Sequence, residues 1–305
     1  MKRNFKGNFV CVAILISCTS VAAQTQPARP RILGITQVEL YSTNAEAAGS
    51  FFAAIFGSEG TPADTCTWGN MSPVIGYFHF HSFCSGQHLR LEKAPKSPSS
   101  TLLREIAFAV DDVKAIKEYL VAKKIAIEKN SGEQYFAIVD PEGHRIGFFQ
   151  SLESATPSSA SGMRLIHAGF VVRDRAAEDR FYKDILGFHV YWHGGMKDDE
   201  TNWVDMQVPD GTDWIEYMLN VPANADHHTL GVMNHIALGV PDIHAAEAQL
   251  RKNGWSGGEQ PKIGRDGKWQ LNLYDPDDTR VELMEFTPTK DPCCAPYTGP
   301  HPGHP

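Results

Sequence analysis

The chain repeats itself, and this limits the folds open to it more than its composition does. At an offset of 130 residues, Phe51-Phe52 with Ile55 and Gly57 recurs as Phe181-Tyr182 with Ile185 and Gly187. At the same offset, Ile106-Ala107 with Val110 and Asp112 recurs as Ile236-Ala237 with Val240 and Asp242. Asp140-Pro141-Glu142 recurs as Asp275-Pro276-Asp277 at an offset of 135, so a small insertion separates the copies. Matched spacings of this kind mark a supersecondary unit used more than once.

Each copy halves again. From Leu165 the sequence reads as a strand, Ile166 to Val172, then a helix with Ala177, Phe181, Ile185 and Leu186 at helical spacing and Gly187 as its stop. Short aromatic and β-branched runs follow at Phe188 to Trp192, Trp203 to Val208 and Trp214 to Leu219. The order restarts with a strand at His235 to Val240, a helix at Ile243 to Asn253, and strands around Gly264, at Gln270 to Tyr274 and at Arg280 to Phe286. The expected fold is α+β, with four β-α-β-β-β units in two tandem domains. Composition places the N-terminal domain at 31–152, a Ser/Ala/Pro linker at 153–162, the C-terminal domain at 163–287 and a proline-rich tail, extended or loosely docked, at 288–305.

Residues 1–23 read as an export signal: Lys2, Arg3 and Lys6 precede an apolar run, and Val21-Ala22-Ala23 suits cleavage before Gln24. Leu15-Ile16-Ser17-Cys18 offers the alternative of a lipid anchor at Cys18. The expected location is periplasmic or extracellular, as a free protein or a lipoprotein. No other run reaches bilayer length, so no transmembrane helix is expected. In an oxidising compartment Cys66 and Cys84 can bridge or stay as thiols, while the partners of Cys293 and Cys294 are open. With a net charge of -8 over 305 residues, nothing argues for the basic face that nucleic-acid binding wants.

Chemistry concentrates in the second copy. His167, Glu216, His235 and Glu282 occupy the first and last strands of the third and fourth units. Side chains alternate faces along a strand, so one inward position on each of four strands can converge on a single ion. Two imidazoles and two carboxylates suit one divalent transition metal, Ni, Zn, Mn, Co or Fe. The corresponding residues of the first copy are Gln37, Glu92, Glu105 and Gly147, so no transition-metal site is expected there. His79 and His81 share a strand face without a partner carboxylate, and the tail residues Cys293, Cys294, His301 and His304 have no fold signal around them.

With His-Ala-Gly-Phe, Phe-Tyr-Lys-Asp-Ile-Leu-Gly, Asn-His-Ile-Ala-Leu and Asp-Pro-Asp-Asp-Thr-Arg-Val-Glu-Leu in order, the chain resembles the vicinal oxygen chelate superfamily. This group includes glyoxalase I, extradiol dioxygenases and the bleomycin resistance proteins. The resemblance implies an open cup of sheet with a metal inside. The His-Glu-His-Glu set looks closest to glyoxalase I, which implies a lyase or isomerase that moves a proton next to a carbonyl, with Glu216 or Glu282 as the base. A resistance-type binding protein and an extradiol dioxygenase are the alternatives, and a homodimer is compatible with the resemblance. Asn220 matches a glutathione-contacting Asn, but Val171 stands where bacterial relatives carry an Arg for glutathione, so a different substrate is expected. Arg265 and Lys268 are candidates to hold a substrate anion.

Overall fold

The computed structural model describes residues 28–57, 67–69, 77–83, 85–95, 102–129, 132–151 and 162–303, with backbone alone for 67–69 and 77–82. The export segment with Cys18, Cys66, Cys84, most of the linker, His304 and the side chains of His79 and His81 lie outside the described residues. The first half contains β1 (Ile32–Ser42), α1 (Ala45–Phe56), β2 (Thr67–Gly69), β3 (Tyr77–Ser82), β4 (His88–Lys93), β5 (Leu103–Val110), α2 (Val113–Ala122), β6 (Tyr135–Val139) and β7 (Arg145–Gln150). The second contains β8 (Arg164–Val171), α3 (Arg175–Asp179), β9 (His189–Gly194), β10 (Trp203–Gln207), β11 (Trp214–Met218), α4 (His227–Met233), β12 (His235–Val240), α5 (Ile243–Lys252), β13 (Lys262–Ile263), β14 (Trp269–Tyr274) and β15 (Arg280–Glu285).

The strands form two mixed sheets, ordered β2-β3-β4-β1-β5-β7-β6 and β13-β14-β15-β12-β8-β11-β10-β9. Both are built alike. The first strands of paired units run antiparallel, β1 to β5 and β8 to β12. Each of those strands also runs parallel to the last strand of its own unit, as β1 with β4 and β8 with β11. Among the described residues the second unit has two strands after its helix, not three. There the stretch before β6 bonds it through Glu128 N–H to Ala137 C=O and Gly132 N–H to Tyr135 C=O, without forming a strand.

The repeated residues have local causes. Asn44, Asp112, Asp174 and Asp242 cap α1, α2, α3 and α5 by accepting from the N–H three residues on. After α3 the chain widens into a π-turn over Arg180–Ile185, closed by Leu186 N–H to Phe181 C=O at 3.0 Å, and Gly187 ends it at φ 81°. Phe181, Tyr182 and Leu186 are thereby all buried. Tyr182 packs on Phe170 of β8 and Tyr217 of β11, so the helices cover the sheet face opposite the one bearing His167 and Glu216. The unforeseen α4 lacks an apolar stripe of helical period and is capped by Asp226.

One apolar core runs through both halves, with Phe108 edge-on to Phe188. Buried polar bonds fix the halves together. Gln87 donates to Ile35 C=O (2.8 Å) and Leu165 C=O (2.9 Å) and accepts from Leu165 N–H (2.9 Å), tying β1 to β8. Asp213 accepts from Ile35 N–H and from Arg164. The tail is pinned rather than loose: Thr298 N–H bonds Tyr191 C=O, Tyr297 OH bonds Asp266 C=O, and Gln207 donates to Pro300 C=O. Its apolar anchor, Tyr297, packs on Tyr191 and supplies what proline content alone does not reveal. Cys293 and Cys294 are disulfide-bonded to each other. No described helix is long and apolar enough to cross a membrane. Replacing Gln87 by Leu strands three buried backbone groups and should lower unfolding stability by about 3 kcal/mol in a urea titration; an unchanged midpoint would show that Gln87 does not hold the halves.

Candidate metal centre

Strand register brings the four candidate ligands together. Across the second sheet, Trp214, His167, Ala237, Glu282 and Asn272 stand in one row, and Asp205, Glu216, Gly169 and His235 in a parallel row two residues along β8. All of these point to the face opposite the helices. Gly169 is the opening in the second row. A Cβ there would lie 2.0 Å from Cε1 of His235, so only glycine lets that imidazole lie across β8.

The two imidazoles meet Nε2 to Nε2 at 3.1 Å. Glu216 Oε2 is 3.0 Å from His235 Nε2 and 4.0 Å from His167 Nε2, and Glu282 Oε2 is 3.5 Å from His167 Nε2. His167, Glu216 and His235 each place one ligand atom within 4.8 Å of the others. Met233 C=O lies 3.2 Å from His235 Nδ1 and accepts its proton, leaving the Nε2 lone pair directed inward. Arg280 reaches that lone pair at 2.6 Å and Glu216 at 3.8 Å.

Charge also favours a cation. Burial holds His167 and His235 well below the usual imidazole range, helped at His167 by His235 and at both by Arg280, so both are neutral donors. Burial pushes Glu216 and Glu282 up to about 7 and Asp266 to about 6, and raises Asp205 well above its ordinary value. Those four carboxylates face the half-buried Arg280 and the buried Lys268, and a divalent ion that displaces their protons would balance the charges. The donor set of His167, His235 and Glu216 fits a divalent transition metal, with Glu282 beside His167 as a further carboxylate.

Above this floor is a cavity of about 320 Å³, walled by Trp192, Trp203, Trp214 and Met284, with Gln270, Asn272 and Arg280 on its sides and Arg265 at its edge. Arg265 is paired with Asp198. Two sequence expectations change. Lys268 is not an anion holder on a loop but fully buried, its Nζ 4.5 Å from the Trp214 ring and also over Tyr191 and Tyr297; the tail closes over it. Burial lowers it to about 8 against the pull of Asp266 and Asp205. Asn220 is exposed at φ 62°, bonds Thr201 C=O and is not among the cavity lining. The sequence reading missed Arg280, Asp205 and Asp266, whose only signal was their parity with the ligands along their strands or neighbouring turn.

The first sheet has the same rows with different contents. Gln37 takes the place of His167, Glu105 of His235 and Gly147 of Glu282, with Glu39 where Gly169 stands. The counterpart of Glu216 is Arg90, paired with Glu39 across β1 and β4, and not Glu92, which lies two residues further along. Arg145 bonds Glu105, Arg104 bonds Glu39 and Glu92, and Tyr135 OH donates to Glu105 at 2.7 Å. Guanidinium groups supply here the positive charge that the second sheet lacks.

Two outcomes follow. Gly169→Ala should displace His235 and weaken metal binding by about 10- to 100-fold, read by equilibrium dialysis; unchanged affinity would remove His235 from the ligand set. Above pH 6.5 the unfolded histidines are more than half deprotonated, whereas the folded chain releases most of the protons of Glu216 and Glu282 near 7. Metal-free protein should therefore lose thermal stability from pH 6.5 to 8, and bound metal should flatten that slope; a rise over this window would contradict the charge balance.

Residues 164–283 match the family model described as Glyoxalase/Bleomycin resistance protein/Dioxygenase superfamily. Among solved structures, a variant of homoprotocatechuate 2,3-dioxygenase from B. fuscum in complex with HPCA is 19% identical at a TM-score of 0.58, over 85% of this chain and 72% of that one. The Brevibacterium fuscum enzyme with 3,4-dihydroxyphenylacetate is 20% identical at 0.55, covering 85% and 82%. The Arthrobacter globiformis enzyme is 19% identical at 0.56, covering 86% and 82%. At such identity the likeness is one of fold, and no curated protein matches the sequence. Residues 164–283 thus belong to the glyoxalase/bleomycin resistance protein/dioxygenase superfamily, and the two-sheet architecture of the whole chain follows the fold of its members.

Proposed function

We propose that the second sheet is the active site of an exported, metal-dependent enzyme that moves a proton next to a carbonyl in a small substrate with two vicinal oxygens. The observation that carries this reading is Glu216: it joins His167 and His235 within 4.8 Å, giving the site a second carboxylate besides Glu282. A bound divalent ion supplies a Lewis acid for the two substrate oxygens. Glu216, whose carboxyl burial pushes up to about 7 in the metal-free protein, is the group placed to carry the proton. Glu282 stays beside His167 as a donor, and Arg280 faces the charge that builds on the substrate oxygens. Trp192, Trp203 and Trp214 shield the reacting carbon from water, while Gln270 and Asn272 offer amide groups that orient the substrate.

A second reading is ring-cleaving oxygenation. What supports it is the fold likeness to homoprotocatechuate dioxygenases together with Arg280 drawing on Glu216, which leaves His167, His235 and Glu282 as a two-histidine, one-carboxylate set. The two readings separate on protein purified without a histidine tag. Incubation with α-hydroxy and α-oxo carbonyl compounds in D₂O should give deuterium at the carbon next to the carbonyl, and Glu216→Gln should slow this by about 10²- to 10⁴-fold with metal retained. Oxygen uptake with catechols that survives Glu216→Gln would favour the oxygenase, and absence of bound metal would leave a ligand-binding protein.

A further inference from the structure

The halves are clasped by two loops of like sequence, and the difference between the clasps points to a ligand. After β14, Asp275 Oδ1 accepts from the N–H of Asp277 (2.9 Å) and Thr279 (2.8 Å), and Asp277 reaches Ser42 and Thr43 at the end of β1. After β6, Asp140 Oδ1 accepts from the N–H of Glu142 (3.0 Å) and His144 (2.8 Å), and Glu142 reaches the N–H of Arg173 and Asp174 after β8. A turn carboxylate and a reaching carboxylate are enough to make the first clasp. At the 130-residue offset Ala48 and Phe52, both fully buried, stand in the first half where the second half has Glu178 and Tyr182. The second clasp meets Glu178 and Tyr182, and at the 135-residue offset it carries His144 where the first has Thr279.

These extra groups converge. Asp140, His144 and Glu178 each offer one ligand atom within 4.8 Å of the others. A His144 ring nitrogen lies 2.7 Å from Asp140 Oδ2, and Tyr182 OH donates to the same oxygen at 3.1 Å. Glu178 is fully buried; its Oε1 accepts from Glu142 N–H at 3.1 Å, but its Oε2 is buried with no hydrogen-bond partner. A carboxylate oxygen so placed is costly unless a cation or a proton meets it. Burial and the negative charge of Asp140, Glu142 and Asp174 push Glu178 up to about 8, which a proton or a cation can answer; the ring nitrogen of His144 among these oxygens is the donor that a metal uses and a proton does not.

We propose that Asp140, His144 and Glu178 form a second metal site, for a divalent ion of the zinc class, that staples the two halves together. Two carboxylates and one imidazole match the donor preferences of that ion, with Tyr182 holding Asp140 in place. It is independent of the His167–His235 centre, and the two can fail separately.

Zinc counting with thermal unfolding tests this. After equilibrium dialysis against zinc, the whole protein should retain two ions per chain, Glu178→Gln and His144→Gln one each, His235→Ala one, and the Glu178→Gln/His235→Ala double variant none. Zinc should raise the melting temperature of His235→Ala but not of the double variant. Glu178→Gln keeps the shape and removes a buried charge, and His144 is partly exposed, so one of the two will report even if the other folds poorly. The proposal is overturned if both variants keep the parent's zinc count and thermal response, or if Glu178→Gln raises the melting temperature equally with and without zinc, which would identify Glu178 as a protonated structural carboxyl.

Discussion

The antiparallel pairing of β8 with β12 is the constraint on which the rest depends. It sets His235 opposite Gly169 and Ala237 opposite His167, so the two imidazoles meet over a gap that a side chain at 169 would close. A slip of one residue would turn His235 to the helix face and put Ile236 in the cavity. The parallel partners β11 and β15 then add Glu216 and Glu282 in the same two rows. Helix capping, the π-turn that buries Phe181 and Tyr182, and the Gln87 bridge to the first half all keep this pairing in place.

Electrostatics explain why, among the described residues, one sheet and not both offers a candidate centre of this kind. Both inner faces bury carboxylates, which requires positive charge nearby. In the first half Arg90, Arg104 and Arg145 provide it from the strands themselves, and the ion pairs fill the space. In the second half Arg280 and the caged Lys268 fall short of the four carboxylates they face, and the imidazoles are kept neutral. One copy spent its polar positions on internal neutrality; the other retained a deficit that an ion can fill.

Much of this was legible in the sequence where it depends on local rules. The repeat gave the four units because Asp112 and Asp242 cap helices and Gly57 and Gly187 end them. The quartet was visible because period-two alternation fixes which strand residues share a face. What was not legible depends on contacts distant in sequence. Lys268 sits between Gly267 and Trp269 and reads as a solvated turn, yet Tyr191 and Tyr297 bury it from elsewhere. Glu92 reads as the counterpart of Glu216 because the stretches leading to β4 and β11 differ in length, and only the pairing with β1 identifies Arg90. Arg280 carries no motif; its role comes from lying two residues before Glu282 on the same face.

The central claim is that a divalent transition metal sits between His167 and His235. The direct measurement is an anomalous-scattering map from crystals of the tag-free protein grown with nickel, zinc, manganese, cobalt or iron. The account predicts a peak within ligand distance of both Nε2 atoms and of Glu216 or Glu282, with the Arg280 guanidinium withdrawn from His235. A map in which every one of these ions leaves that position empty and Arg280 stays on His235 Nε2 would contradict it.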